Sequence, residues 1–314
     1  MKMIIPAVLA AACAQPVLAC DLCAIYAATE AQGSGGAGFF GGVAEQYTHF
    51  GTLQSAGHEV PNTADQFIES SVTQIFAGYN FNYRFGLQFN LPVIYRSFQR
   101  PRGAAIEHGE EFGIGDASLI GNFLAYQKLK EHFTVNWSLL GGVKFPTGNS
   151  SHLAEEDVES EGGLPPSGIG GHDLALGSGS FDGIVGTSLY LRYKHLFASG
   201  GLQYAARTEG SFGHQYANDL TWSGGPGVYV ALTHNYTLSL QAVISGETKG
   251  KDTENGEADG DSAETIGYVG PQVNFTWSST LSAQVGADLP VHVENSGLQV
   301  VPSYRVRAAF TWRF

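Results

Sequence analysis

The last eleven residues, YRVRAAFTWRF, limit the fold more than any other stretch of the chain. Read as a strand, they set Tyr304, Val306, Ala308, Phe310, Trp312 and Phe314 on one face. Arg305, Arg307, Ala309, Thr311 and Arg313 fall on the other, because successive side chains of a strand point to opposite sides. A soluble sheet rarely leaves such an apolar, aromatic stripe on an open edge. The stripe must lie against a core or against lipid.

The same alternation recurs upstream. YRFGLQFNLPVIY sets Tyr83, Phe85, Leu87, Phe89, Leu91, Val93 and Tyr95 against Arg84, Gln88 and Asn90, with Arg96 continuing the polar face. FTVNWSLLGGVKF sets Phe133, Val135, Trp137 and Leu139 against Thr134, Asn136, Ser138 and Lys144. LSAQVGADLPVHVE sets Leu281, Ala283, Val285 and Leu289 against Ser282, Gln284 and Asp288. A second face of Gln, Asn, Ser and Arg in strand after strand suits a watery interior better than a packed sandwich core. Twelve such segments are predicted, over 37–50, 67–80, 83–97, 113–127, 132–146, 179–194, 196–209, 218–232, 236–248, 263–277, 279–293 and 300–314.

Their links alternate in length. FNY, KLKE, HL, THNY and SS are short; 51–66, 98–112, 147–178, 210–217, 249–262 and 294–299 are longer. Short turns at one end, long loops at the other and an even strand number are the pattern of a transmembrane β-barrel. Tyr95, Phe98, Phe133, Tyr193, Phe197, Trp277 and Trp312 stand near predicted strand ends, where interfacial girdles are expected. The predicted fold is therefore all-β: a monomeric, antiparallel up-and-down barrel of about twelve strands over 37–314, narrower than the porins of 16–18 strands.

The amino-terminal sequence MKMIIPAVLAAACAQPVLAC has an early positive charge, an apolar run from Ile4 to Ala14 and a small residue at Ala19. It reads as a secretory signal over 1–19, and its apolar run is too short to span a bilayer as a helix. Export, few charged residues (14%) and many glycines (42) together point to the outer membrane of a Gram-negative bacterium, with both termini periplasmic. The closing strand ending in Phe314 resembles the sorting signal read by barrel-assembly machinery. A net charge of −13 argues against nucleic acid, which needs clustered Lys and Arg.

Residues 20–36 form a predicted periplasmic segment that opens on CDLC. Cys20 and Cys23 can close a disulfide, hold Cu or Zn through thiolates, or, at Cys20, carry a lipid. An oxidising compartment favours the disulfide. No other cofactor is expected.

Three stretches carry a family resemblance: GIGDASLIGNFLAYQ, WSLLGGVKFPTGNSS and LGSGSFDGIVGTSLYLRYK. Gly113, Gly115 and Asp116, then Pro146, Thr147 and Gly148, then Gly177, Gly179, Ser180 and Asp182 resemble, in order and spacing, an outer-membrane barrel family named after the meta-pathway of phenol degradation. The matched part runs from about residue 113 to 194. The resemblance implies a transporter-like barrel with an aromatic or hydrophobic small molecule as cargo.

The expected lumen wall carries Arg84, Arg96, Lys144, Arg192, Arg305, Arg307 and Arg313, against Asp116, Asp288 and Glu294. Closure would set Arg305 and Arg307 beside Glu45. These charges either tune ion passage or pair structurally. Wall arginines in a low-dielectric lumen are screened less than loop carboxylates, so a conducting barrel is expected to prefer anions mildly. The acidic runs at Glu155–Glu161 and Glu247–Glu264 read as solvated loops, able at most to bridge lipopolysaccharide through divalent cations. A nucleophile–histidine arrangement is not evident, so no enzyme is expected. Two functions fit: a channel for a small molecule, or a barrel anchoring a metal-binding or structural CxxC segment.

Overall fold

A computed structural model describes residues 37–155, 163–260 and 262–314. The expected signal sequence, Cys20 and Cys23, and the acidic residues of 156–162 lie outside the described residues.

Twelve strands form a closed antiparallel wall. They are β1 (Gly38–Ser55), β2 (Phe67–Asn80), β3 (Phe85–Arg102), β4 (Ser118–Lys130), β5 (Phe133–Lys144), β6 (Asp182–Tyr193), β7 (Leu196–Ala206), β8 (Asp219–Leu232), β9 (Tyr236–Lys249), β10 (Glu264–Trp277), β11 (Leu281–Asn295) and β12 (Leu298–Arg313). Each pairs with its neighbours in chain order, and β12 pairs back onto β1 from Phe40↔Arg313 to Ser55↔Leu298. Closure leaves no strand edge, which a membrane-spanning sheet requires. Short turns gather at the end where β1 begins (the turn end) and longer connections at the opposite, loop end.

Side-chain parity sorts the two faces as the alternation requires. Val43, Ile75, Phe89, Val143, Leu240, Val285, Val306 and Phe310 are exposed on the outside. Gln74, Asn90, Ser118, Gln203, Ser239, Gln272 and Thr311 are buried within. At the turn end Phe39, Tyr79, Phe81 and Phe85 form a chain of ring contacts, and Tyr236 stacks on Trp277. This is one arc of the expected girdle. Phe98 and Phe197 do not belong to it: both are buried and face inward, because they share parity with Arg96 and Ser199 rather than with the lipid-facing residues.

Two expected loops are sheet instead. Residues 98–112 form the tip of a hairpin in which an arm, Ala105–Ile114, pairs with the upper half of β3 from Val93↔Ile114 to Arg102↔Ala105. There the cross-strand pairs become ionic: Glu107 accepts from Arg100 at 2.8 Å and from Arg102 at 3.0 Å. The apolar alternation fades because this part needs no lipid-compatible face, and fading hid the strand. Between β11 and β12 the predicted loop 294–299 is a turn at Ser296 and Gly297.

Glu45 also departs from expectation. It points outward, accepting from the Ser71 hydroxyl at 2.6 Å and from Thr73. The residues registered beside Arg307 and Arg305 on the inner wall are Gln46 and Thr48. A one-residue offset in a strand exchanges the faces, and strand 1 is read correctly only when Phe40 and Ala44 face in.

The sorting yields a direct expectation. Val285→Arg places a charge on the lipid side of β11 and should cost about 2–4 kcal/mol near the bilayer midplane. Ser282→Arg, on the inner face of the same strand, should cost about 1 kcal/mol or less. Denaturant titration of the barrel refolded in lipid vesicles compares them; equal losses would contradict the assignment of faces.

Candidate functional site

The interior divides into two halves, because the long connection between β5 and β6 folds back into the loop end. Its inserted part packs Ile169 and Leu174 against Phe50 of β1, Ile68 of β2, Phe98 of β3 and Val300 of β12. Each fully buried aliphatic side chain of this kind stabilises by about 1.5–3 kcal/mol. Here the inner wall is apolar, contrary to a uniformly polar lumen, because a segment of the chain rather than water covers it.

Polar contacts hold the same segment. Gln66 receives the Gly168 amide at 2.8 Å and donates to the Pro166 carbonyl at 3.1 Å. The Gly168 carbonyl accepts from the Val300 amide at 3.0 Å. Arg96 donates to the Ala175 carbonyl at 2.6 Å, and Tyr216 to that of His172 at 3.0 Å. Arg96 is thus buried at the loop end as an anchor.

The base of the insertion is a clasp built from the three motif stretches. One Asp116 oxygen accepts from Lys144 Nζ at 2.7 Å and from the Ser178 amide and hydroxyl at 2.9 and 2.8 Å. The other accepts the Gly148 amide at 3.0 Å. Thr147 donates to the Gly115 carbonyl at 2.7 Å and accepts the Ala117 amide at 2.8 Å. Gly148 and Gly177 meet backbone to backbone, so that a Cβ on Gly177 would lie 2.6 Å from the Gly148 Cα. Gly179 has φ +72°, open to glycine and strained for other residues. The motifs therefore bring a loop and its strands together.

From the clasp a line of alternating charge runs across the wall. Asp182 lies 2.7 Å from Lys144 and 3.1 Å from Arg207, which donates through Nε to Asp219 at 2.9 Å. Across the lumen, Asp288 receives Arg305 at 3.1 Å and Arg307 at 2.7 Å. Arg305 also donates to Ser245 at 2.8 Å and lies 3.9 Å above the Tyr268 ring. The expected lumen residues Lys144, Arg305, Arg307, Asp116 and Asp288 do face inward, yet all of these cations are buried in ion pairs. Glu294 is exposed beside His292. Asp182, Arg207 and Asp219 complete the network; they are not among the expected wall charges, although Arg207 keeps the inward parity of Phe197 and Gln203.

A third cluster joins the insertion to β9. Lys249 donates to Asp252 at 2.6 Å, and His172 lies 3.2 Å from Asp173 and stacks on His214 with ring centroids 6.3 Å apart. Burial alone would raise the Asp173 carboxyl, but His172, the Gly170 amide and Lys249 outweigh it and hold it below the usual range. Glu107 is likewise held low: burial would raise it, and Arg100 and Arg102 prevail. Among the described residues no group of three or more His, Cys, Asp and Glu is placed to hold a metal ion.

Beneath the insertion the lumen widens into a cavity of about 820 Å³ that reaches the turn between β2 and β3. Asn136, Gln241, Gln272, Asn274 and Gln284 line it, with hydroxyls from Ser138, Ser199 and Thr311 between them. Gln272 donates to Asn274 at 2.7 Å, which donates to Ser239 at 3.3 Å. Tyr190, Phe197 and Tyr229 form an aromatic wall, the two hydroxyls 2.6 Å apart. Arg84 lies at its rim, stacked on Tyr83. Arg192, near the turn end, donates to the Lys194 carbonyl at 3.1 Å and to Thr134 at 3.2 Å.

No family model matches the chain, and no curated protein matches it. The fold is similar to the COG4313 outer membrane channel from Pseudomonas putida F1, with a TM-score of 0.63 at 18% identity, covering 89% of this chain and 96% of that one. The beta domain of the Bordetella autotransporter BrkA aligns at a TM-score of 0.46 and 10% identity, over 89% of this chain and 100% of that one. The first likeness is one of fold, a closed antiparallel β-barrel. It does not extend to the phenol-pathway naming.

Two outcomes test this geometry. Lys144→Met leaves Asp116 and Asp182 buried beside an apolar side chain and should cost about 3–5 kcal/mol, with earlier proteolytic cutting in 163–178. Denaturant midpoints and timed proteolysis read both. Acid should loosen the insertion too. A carboxyl held low in the folded state stabilises at neutral pH, and that stability is lost as pH falls from the unfolded value near ~4 through the folded one. The hydrogen-exchange protection factor of 163–176, taken relative to the intrinsic rate at each pH, should therefore be steady from pH 7 to about 5 and fall below about 4.

Proposed function

We propose that this protein is an outer-membrane channel for small polar solutes, with the turn end in the periplasm and the loop end closed by the inserted segment. The observation that carries the reading is the 820 Å³ cavity, lined by amides and hydroxyls and reaching the turn end. A barrel serving only as an anchor has no need of such a space. Twelve strands enclose more room than side chains can fill, and here that room is divided between an ordered plug and a polar chamber.

Side chains from opposite sides of the chamber, such as Asn136 and Gln272, offer alternating donors and acceptors, able to exchange hydrogen bonds with a passing solute one at a time. The hydrophobic cargo implied by the family resemblance finds a partial counterpart in the Tyr190, Phe197 and Tyr229 wall. The remaining lining favours solutes that carry polar groups. Passage requires the insertion to move, since Ile169 and Leu174 fill the loop end in this state.

Single-channel recording in planar bilayers tests the proposal. The intact barrel should show small or infrequent openings, and replacing 164–176 by a short Gly-Ser linker should raise unit conductance. Equal conductance in the two would remove the gating role. Silence in both would remove the channel.

A further inference from the structure

We infer that the turn-end cavity holds a binding site for small organic carboxylates, with Arg313 and Gln284 as its donors. The inference deepens the channel reading by naming a class of solute, and it rests on that reading for the route by which a solute arrives.

Arg313 stands at the end of β12 with its guanidinium oriented by one contact, Nη1 to the Ser279 carbonyl at 3.3 Å. Its Nε is buried without a hydrogen-bond partner. Gln284 of β11 is in the same position: its Nε2 is buried and has no partner. Both side chains line the cavity. A buried donor left unmade costs free energy comparable to a lost hydrogen bond, and most buried polar groups find partners. Neighbouring amides do find them: Gln241 donates to Ser199 at 2.7 Å, and Gln272 to Asn274 at 2.7 Å. Among the described side chains that line the cavity, these are the two buried nitrogen donors left unmade, and both stand in one corner, on the β11–β12 seam.

Register brings the two donors to that corner. Ser282 pairs with Thr311 and Gln284 with Ala309, while the Arg313 amide bonds to Thr280. Arg313 and Gln284 are thus four residues apart along the seam, roughly 13 Å of strand. Arg313 turns its Nη1 to Ser279 at the turn end, so the two donors bound a gap rather than meet. Ser282 and Thr311 lie between them and also line the cavity.

Charge selects what can occupy the gap. Among the described residues that line the cavity are two arginines, Arg84 and Arg313, and no carboxylate. Of the other buried cations, Lys144, Arg207, Lys249, Arg305 and Arg307 are held by Asp116, Asp182, Asp219, Asp252 and Asp288, Arg100 by Glu107, and Arg96 donates to the Ala175 carbonyl. A cation entering this chamber meets like charge and no counter-ion. A carboxylate presents two oxygens in one plane, which fits a guanidinium edge as one acceptor and leaves a second oxygen for an amide donor. The amide and hydroxyl walls then accommodate a short polar or aromatic tail.

Equilibrium binding separates this site from the channel reading, because it needs no conduction. Full-length protein refolded in detergent, in low-chloride buffer, is titrated with propionate and with the isosteric neutral amide propionamide, observed by saturation-transfer NMR. Propionate should bind measurably tighter than propionamide, weaken by about tenfold in Arg313→Gln, and be restored by Arg313→Lys. Gln284→Ala should weaken it less and gives a second readout should the Arg313 variants refold poorly, with heat-modifiable migration confirming the barrel. Equal binding of the two probes, or propionate affinity unchanged in both Arg313→Gln and Gln284→Ala, would overturn the site. A barrel that binds propionate without conducting would overturn the channel and leave the site standing.

Discussion

Everything in the molecule depends on β12 meeting β1. Hydrocarbon offers no partner to a backbone amide, so an open sheet edge across the membrane would leave several kcal/mol unmet at each group. The register from Phe40↔Arg313 to Ser55↔Leu298 removes that edge. It also decides the size of the interior. Eight strands would be filled by their own side chains, and sixteen or more would hold an open aqueous pore. Twelve leave a space too large for side chains alone, and a returning loop packs into its loop end.

That loop brings backbone into the barrel, which must be satisfied like any other buried backbone. The wall answers with side chains placed for the purpose: Gln66 for Gly168 and Pro166, Arg96 for Ala175, Asp116 for Gly148 and Ser178. Charged residues inside a narrow, dry barrel are tolerable only in pairs, and removal of one partner is costlier than the pair is worth. The alternating line from Asp116 to Lys144, Asp182, Arg207 and Asp219 obeys this, each inner member lying between two opposite charges. Its place at the foot of the insertion couples the wall to the loop. Rearranging one requires rearranging the other.

Most of the wall was legible in the sequence because its physical cause is local. Lipid on one side and water or polar groups on the other force a period of two, and Phe89, Leu91 and Val93 against Gln88 and Asn90 announce it in one strand. Where the outside is water the cause disappears, and the arm Ala105–Ile114 with its Glu107–Arg100 pair read as a loop. The face of β1 was misread at Glu45 because its outer residues Glu45, Tyr47 and His49 are polar, so hydrophobicity did not distinguish the sides. The insertion was hidden for a different reason. Leu153, Ile169 and Leu174 are widely separated apolar residues in a glycine-rich stretch, and only tertiary contact with Phe50, Ile68 and Tyr216 gives them a core. Arg305 and Arg307 were placed correctly on the inner wall, yet their pairing to one carboxylate from β11 could not be read from β12.

This pairing relocates the electrostatic question. A sum over the chain gives −13, and a sum over expected wall residues gives an excess of cations. Neither sum describes what a solute would meet. Acidic residues in water are screened over about 8–10 Å at physiological salt, so they scarcely reach the chamber. Arginines locked to Asp288 or Asp182 present dipoles rather than monopoles, and their fields fall faster with distance. What remains is a chamber of neutral amides with Arg84 at its rim and Arg313 in its wall. If the barrel conducts as proposed, discrimination by charge falls to Arg84 and Arg313, which stand in the wide half, away from the plug. On the proposed channel reading, gating and selection fall to different residues at different ends of the lumen.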